Sequence, residues 1–414
     1  MCSDETRFRV VVNASAQLGI WPIGRPPPRG WQVTAMAGAV RRCQDFIDQI
    51  PPAGARELAH ARQPGPGPAA SSRSIVELFD RTARAAATVL VLHEAGRQLT
   101  LGELRSRSVA VADELSGIGV GGGDRVAVCH PVGIDFVVAM LGVLRAGGIC
   151  VPVDVEASIE RRDAILSDAG VSAILAGGRP RRFDSGPAGE FAWQPQPGDA
   201  LVVYPSDVGP DPVGVVWRHS QLRGLAVGEP AGVFDGGSVL VRHRPDDGLL
   251  LLELVWSFGT AASAVIFDDT TSATGGRRPR ASTGAPDIAF SAAPIDHPGE
   301  RRTLLWRGGT AGAPVQLWGL GDSTVVATGA SADGPGRPLP GVRFLVLDHD
   351  LTMVPTGATG RLHVAGWPVG GGYLGRPGLT AQRLIPDPSG PPGSRMVDTG
   401  IVVRRRTRDL VTFG

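Results

Sequence analysis

The stretch Tyr204–His219 reads YPSDVGPDPVGVVWRH, and its residue types and spacing point to a definite chemistry. The apolar run Ala200–Tyr204 predicts a buried strand, the Gly/Pro/Asp/Ser segment after it a loop, and Gly214-Val215-Val216 a second strand. A strand entering a Gly/Ser-rich loop is a common way to hold phosphate on backbone amides, with a lysine to neutralise the charge. Here the loop holds Asp207, Val208, Pro210 and Asp211 where small, donor-rich residues are needed. Two carboxylates repel a phosphate, and proline removes an amide donor. Position 213 is valine, and every basic residue of the chain is an arginine. Ser206 and His219 are the candidates for a nucleophile and a base, but no GxSxG, HExxH or paired-cysteine signature accompanies them. A lone histidine after a strand reads as structural.

The elements around this loop predict an α/β core. Ile75–Ala86 has helical spacing, and Gln98 opens another helix. Asp124–Cys129 is a strand, Phe136–Ala146 a helix and Ile149–Val153 a strand. Such alternation predicts a covered, mostly parallel sheet. Residues 1–50 read as a separate small module, with strands at Phe8–Val12 and Gly30–Thr34 and a helix over Ala39–Ile50. Trp21 and Trp31 are either core residues of that small sheet or part of a binding cleft; two tryptophans are many for so small a core. Residues 51–72, rich in Pro, Gly, Ala and Ser, predict a flexible linker, and 73–414 the core.

The balance of 41 basic and 40 acidic residues argues against bulk nucleic-acid binding. The apolar run Leu249–Trp256 is short and interrupted by Glu253, so no membrane span is expected. Cys2, Cys43, Cys129 and Cys150 form no CxxC pair, and Met1–Arg9 has no apolar core; a reduced, cytoplasmic setting is expected.

The spacing Tyr204, Ser206, Pro212, Gly214, Val216 and His219 resembles the phosphate loop of adenylate-forming enzymes, most closely the adenylation domains of nonribosomal peptide synthetases. That loop reads roughly YTSGSTGxPKGVxxxH, so the lysine falls on Val213 and two glycines fall on Asp207 and Pro210. LTLGEL, GDRVAV, VLRAGG and VPVD match the family's packing motifs. Leu252–Trp256 resembles its FDxSxWELxW segment, with the substrate-anchoring Asp falling on Gly248, or on Asp247 after a slip of one. Gln316–Thr324 resembles NLYGPTEAT, which places Trp318 against adenine and Asp322 near a magnesium ion; no metal is expected to be held. Gly336-Arg337-Pro338, Gly360-Arg361-Leu362, Gly372–Pro377 and Leu379–Leu384 are in register, and Met396–Ile401 stands where the family has YRTGD. The resemblance thus outlines a vestigial nucleotide site of Ser206, Gly214, Trp318, Asp322 and Thr399, in which the ribose-gripping Asp is Ile401. The written sequence stops at Gly414, ahead of the family's hinge and C-terminal subdomain with its lysine, so that subdomain is expected to be absent. Asn13, Gln17, Trp21-Pro22, Pro28–Trp31 and Cys43 resemble an MbtH-like protein, the small chaperone of adenylation domains.

The departures fall on ligand positions and spare packing positions. The expectation is a pseudo-adenylation protein with no catalytic residue and no cofactor, binding a nonribosomal peptide synthetase module, a carrier protein or a tailoring enzyme. Alternatives are an ATP-independent acyl-transfer enzyme using the old cleft and a weak ligase completed in trans. The resemblance also implies a module docked on Leu374–Leu384, within one chain or swapped between two. Its interface would comprise Trp21, Pro22, Trp31, Leu379 and Ala381, with Ala381 inserted between the tryptophans.

Overall fold

A computed structural model describes residues 8–60, 74–94, 96–177, 179–183, 195–205, 211–227, 237–241, 243–245, 250–251, 253–255, 263–267, 288–292, 300–307, 315–320, 325–328, 334, 336–407 and 411–413. The N-terminal module consists of β1 (Phe8–Asn13), β2 (Leu18–Pro22), β3 (Trp31–Gly38), α1 (Val40–Asp48) and α2 (Pro52–His60). Its sheet is antiparallel in the order β2-β1-β3. The run Val10-Val11-Val12 does not alternate because both faces of this sheet are covered. Val10 and Ile20 face Cys43 and Ile47, one turn apart on α1, whereas Val11 packs with Trp21 and Trp31 on the other face.

Helix α2 corrects the expectation of a flexible linker over 51–72. Pro52 stands in its first turn, where the missing amide hydrogen costs nothing, and Ala55 and Ala59 are buried one turn apart. Residues 61–73 lie outside the described residues.

The core continues with α3 (Ile75–Ala85), β4 (Leu90–Glu94), β5 (Arg97–Thr100), α4 (Leu101–Gly117), β6 (Arg125–Val128), α5 (Ile134–Arg145), β7 (Ile149–Pro152), α6 (Ile159–Ala169), β8 (Ala173–Leu175), β9 (Arg181–Arg182), β10 (Asp199–Val203), β11 (Val215–Arg218) and α7 (His219–Val227). Then come β12 (Gly237–Val241), β13 (Ser263–Phe267), β14 (Ile288–Ala292), β15 (Glu300–Arg307), β16 (Val315–Leu320), β17 (Val325–Thr328) and β18 (Arg337–Pro338). The last part is β19 (Val342–Leu347), β20 (Thr359–Gly366), β21 (Gly372–Tyr373), α8 (Pro377–Arg383), β22 (Leu384–Pro386), β23 (Arg395–Arg405) and β24 (Val411–Phe413).

These strands form three sheets. The first has the order β21-β11-β10-β7-β6-β8-β9, the second β18-β17-β16-β15-β14-β12-β13-β4-β5, and the third β19-β20-β23-β22 with β24 on β23. Pairing is parallel where β10, β7, β6 and β8 meet and where β14, β12, β13 and β4 meet, and antiparallel elsewhere. The expected mostly parallel sheets are therefore mixed, with antiparallel edges. Helix α5 is buried along almost its whole length, so its sequence is apolar all round. It packs on α4, which begins with a reciprocal capping box between Thr100 and Glu103.

Candidate functional site

The strand predicted into the phosphate loop is β10, and Tyr204 follows it as a buried residue. Its hydroxyl donates to Asp168 Oδ2 at 2.9 Å; burial, then that carboxylate, push the phenol's pKa up. Ser206, Asp207, Val208 and Pro210 lie outside the described residues. Beyond them Asp211 is exposed, and Val213 packs against the main apolar cluster. A carboxylate in solvent and an isopropyl group in the core supply no cation for a phosphate. Gly214 is buried with no room for a side chain: a Cβ there would lie 2.8 Å from Val202 Cγ1 and 2.9 Å from Tyr204 Cζ.

His219 opens α7 and is mostly buried. Its Nδ1 accepts the Ile75 amide at 3.5 Å, and burial holds its pKa below the ordinary histidine value.

The remaining nucleotide positions divide in the same way. Thr399 is buried, and its hydroxyl donates to the Leu362 carbonyl at 2.7 Å while accepting the Ile401 amide at 3.1 Å. Ile401 itself is 7 % exposed and belongs to the main apolar cluster. Trp318 lies on β16, paired with Arg302 and Ala327, and its side chain is outside the described residues. Asp322, Asp247 and Gly248 also lie outside them. Glu253 is buried, with its Oε1 2.6 Å from His243 Nδ1. Among the described residues no group of three His, Cys, Asp or Glu side chains is placed to hold a metal ion. None of the described helices is long and apolar enough to cross a membrane.

The contact between module and core combines apolar packing with hydrogen bonds. Ala381 on α8 is fully buried in a cluster with Val10, Ile20, Cys43 and Ile47. It therefore does not sit between Trp21 and Trp31. Ile20 and Trp21 are adjacent on β2 and point to opposite faces, so the helix on one face cannot reach the tryptophans on the other. Pro386 occupies the tryptophan side instead. A Cβ added to Gly19 would lie 3.0 Å from Pro386 Cδ and 3.2 Å from Trp31 Cζ3, so the proline and the indole share the space over that glycine. Trp21 is buried, with Nε1 donating to the Pro26 carbonyl at 3.2 Å. Pro22 ends β2, and Leu379 packs at the edge of the core's main apolar cluster.

Hydrogen bonds complete the seat. Asn13 is 1 % exposed: Nδ2 donates to Gly393 O at 2.9 Å and Gln17 Oε1 at 2.8 Å, while Oδ1 accepts the Ser15 and Gln17 amides. All its bonding capacity is used. Trp31 Nε1 donates to Ser394 O at 3.1 Å, and the Gly393 amide to Arg29 O at 2.8 Å. Helix α8 has no side-chain cap of its own. Asp48 at the end of α1 accepts the Gly378 amide at 2.7 Å, so the module caps this helix from across the contact. The residues that sequence reasoning missed are Pro386, Asp48 and Gly393. Their partners lie hundreds of positions away, and no local periodicity reveals such pairs.

Comparison with known proteins agrees with this anatomy. Residues 2–50 match the MbtH-like protein family, and residues 79–209 match the AMP-binding enzyme family. A nonribosomal peptide synthetase of Salinispora arenicola, CymA, is 33% identical over 366 residues, covering 81% of this chain and 5% of that protein. Novobiocin biosynthesis protein H of Streptomyces niveus is 28% identical, covering 83% of this chain and 66% of its own length. Phosphinothricin tripeptide synthetase PhsC of Streptomyces viridochromogenes is 28% identical over 91% of this chain and 38% of its own. The chain thus spans less than two thirds of each of these relatives. Among solved structures, the Klebsiella oxytoca NpsA N-terminal subdomain in complex with 3-hydroxyanthranilyl-AMSN superposes with a TM-score of 0.60 at 17% identity, over 84% of this chain and 100% of that one. At that identity the likeness concerns the fold. The chain thus carries a region similar to MbtH-like proteins followed by a region similar to AMP-binding enzymes, and the relatives it resembles include nonribosomal peptide synthetases.

Proposed function

We propose that this chain is a pseudo-adenylation protein: a non-catalytic binding component of a nonribosomal peptide pathway, with its MbtH-like module docked on its own core. The observation that carries this reading is Ile401. It stands where the resemblance places the carboxylate that grips ribose, and it is buried in the main apolar cluster. Isoleucine accepts no hydrogen bond, and its side chain here excludes ribose and water alike. Val213 packed in the lysine's place and the Thr399 hydroxyl spent on backbone support the same reading. By contrast, Asn13, Trp31, Asp48 and Ala381 at the module contact are each hydrogen-bonded or packed across it. Selection that keeps assembly while ligand positions change is what a scaffold requires. The partner is a synthetase module, a carrier protein or a tailoring enzyme of the same pathway.

Pyrophosphate exchange with each proteinogenic amino acid tests the catalytic half of the claim. The expected result is exchange at the blank level throughout; amino-acid-dependent exchange above blank overturns it. Capture of a synthetase or carrier protein from the producing cell tests the binding half.

A further inference from the structure

Both ends of the segment 206–213 are tied to the helix on which the module docks. On one side, Tyr204 donates to Asp168 Oδ2 at 2.9 Å, and Arg376, the residue just before α8, holds Asp168 Oδ1 at 3.2 Å. On the other, the Leu374 amide donates to Gly214 O at 2.8 Å. Strand β21 pairs with β11, Tyr373 opposite Val215 and Gly372 opposite Val216. Within α8, Thr380 Oγ1 accepts the Tyr373 amide and donates to Arg376 O, each at 2.9 Å. Gly372 has φ +117, and a Cβ there would lie 2.4 Å from Thr380 Cγ2, so strand and helix are in direct contact with nothing between them. The same helix is held by the module, through Asp48 on the Gly378 amide in its first turn and the cluster around Ala381.

We propose that module seating and the geometry of Tyr204 and Gly214 are coupled through α8. Asp48 fixes the start of the helix; Arg376 and Thr380 pass that position to Asp168 and β21, and these hold the two chain ends at Tyr204 and Gly214. Close packing leaves the helix little freedom to move independently of either neighbour. Coupling of this kind is reciprocal, so a change at Asp168 weakens module seating just as loss of Asp48 loosens β11. The proposal concerns communication within the chain and stands whether or not the core has any catalytic activity.

The experiment is hydrogen exchange on the full chain, comparing the parent with D48A, which removes the acceptor of the Gly378 amide, and D168N, which leaves Asp168 one acceptor oxygen for its two donors. D48A is expected to speed exchange of the amides of Gly214–Trp217 and Gly371–Leu374 by roughly five- to tenfold. D168N is expected to speed exchange at Gly378 and along α1 by a similar factor, and to raise protease cutting within 61–73. Gly24→Ala, at an open surface position where a Cβ meets nothing within 4 Å, serves as a mutation without effect at either place. If either cross-effect is missing, or if both variants speed exchange uniformly over the chain, the coupling is overturned. Should either variant fail to fold, Arg376→Gln and Thr380→Val break the same path at its middle and carry the same two expectations.

Discussion

Replacing Ala381 with glutamate tests the module contact most severely. The alanine methyl is fully buried among Val10, Ile20, Cys43 and Ile47, none of which can pair a carboxylate. An ionised glutamate left there without a partner costs about 3–5 kcal/mol. Taking up a proton is no escape, because raising a carboxyl pKa by about three units costs a similar amount. Docking is intramolecular, so the cheaper response is release of the module. A change of that size lowers the docking equilibrium constant by roughly a hundred- to a few-thousand-fold. Limited proteolysis reads this as faster cutting within 61–73, and a melting scan as an early transition of the module. Ala381→Ser, which buries a hydroxyl, should give a smaller effect of about 1–3 kcal/mol. An Ala381→Glu chain with unchanged melting and an unchanged protease pattern would refute the placement of α8 against α1.

Two further outcomes follow from the same geometry. Gly30 has φ +80, and a Cβ there would lie 2.4 Å from the Gly393 amide nitrogen, so Gly30→Ala should weaken docking by at least about 2 kcal/mol whereas Gly24→Ala should be silent in the same melting assay. Burial holds the pKa values of His219 and His363 below the ordinary value, so both take up a proton more readily when unfolded. Their contribution is complete above about pH 6.5 and is lost as pH falls below it, so the melting temperature should drop between pH 7 and 5. Asp398, 3.8 Å from His363 Nε2, opposes the effect at that site as Glu77 does at His219, and His219→Gln and His363→Gln should each flatten the drop. A melting temperature that rises on acidification over this range would contradict the assignment.

Much of the core was legible because its signals are local. The run Ala200–Tyr204 and the strands at Arg125–Val128 and Ile149–Pro152 stand out as short apolar segments bounded by Gly, Asp or Pro, and the structure places β10, β6 and β7 on them. The Thr100/Glu103 spacing marks the start of α4 just as plainly, although Gln98 and Leu99 belong to β5 and not to the helix. What failed to show is set by contacts distant in sequence. Residues 51–60 have a linker's composition, yet Pro52 starts a helix that Ala55 and Ala59 bury against β1. The pairing of Ala381 with the tryptophans was an expectation of the resemblance. The period-2 geometry of β2 contradicts it, since Ile20 and Trp21 cannot face one helix together. Asp48 on Gly378 and Asn13 on Gly393 join residues 330 and 380 positions apart, and no window along the chain contains both partners.

The central claim is that the adenylation fold persists without its nucleotide site, and its most direct test is a calorimetric titration of the full chain with ATP in the presence of magnesium. With an isoleucine at the ribose position and a valine at the lysine position, the account predicts no saturable heat up to millimolar ATP. It also predicts no change in melting temperature at the same concentration, because a ligand stabilises only the fold it binds. Saturable binding in the micromolar range, accompanied by a melting temperature that rises with ATP, would contradict it.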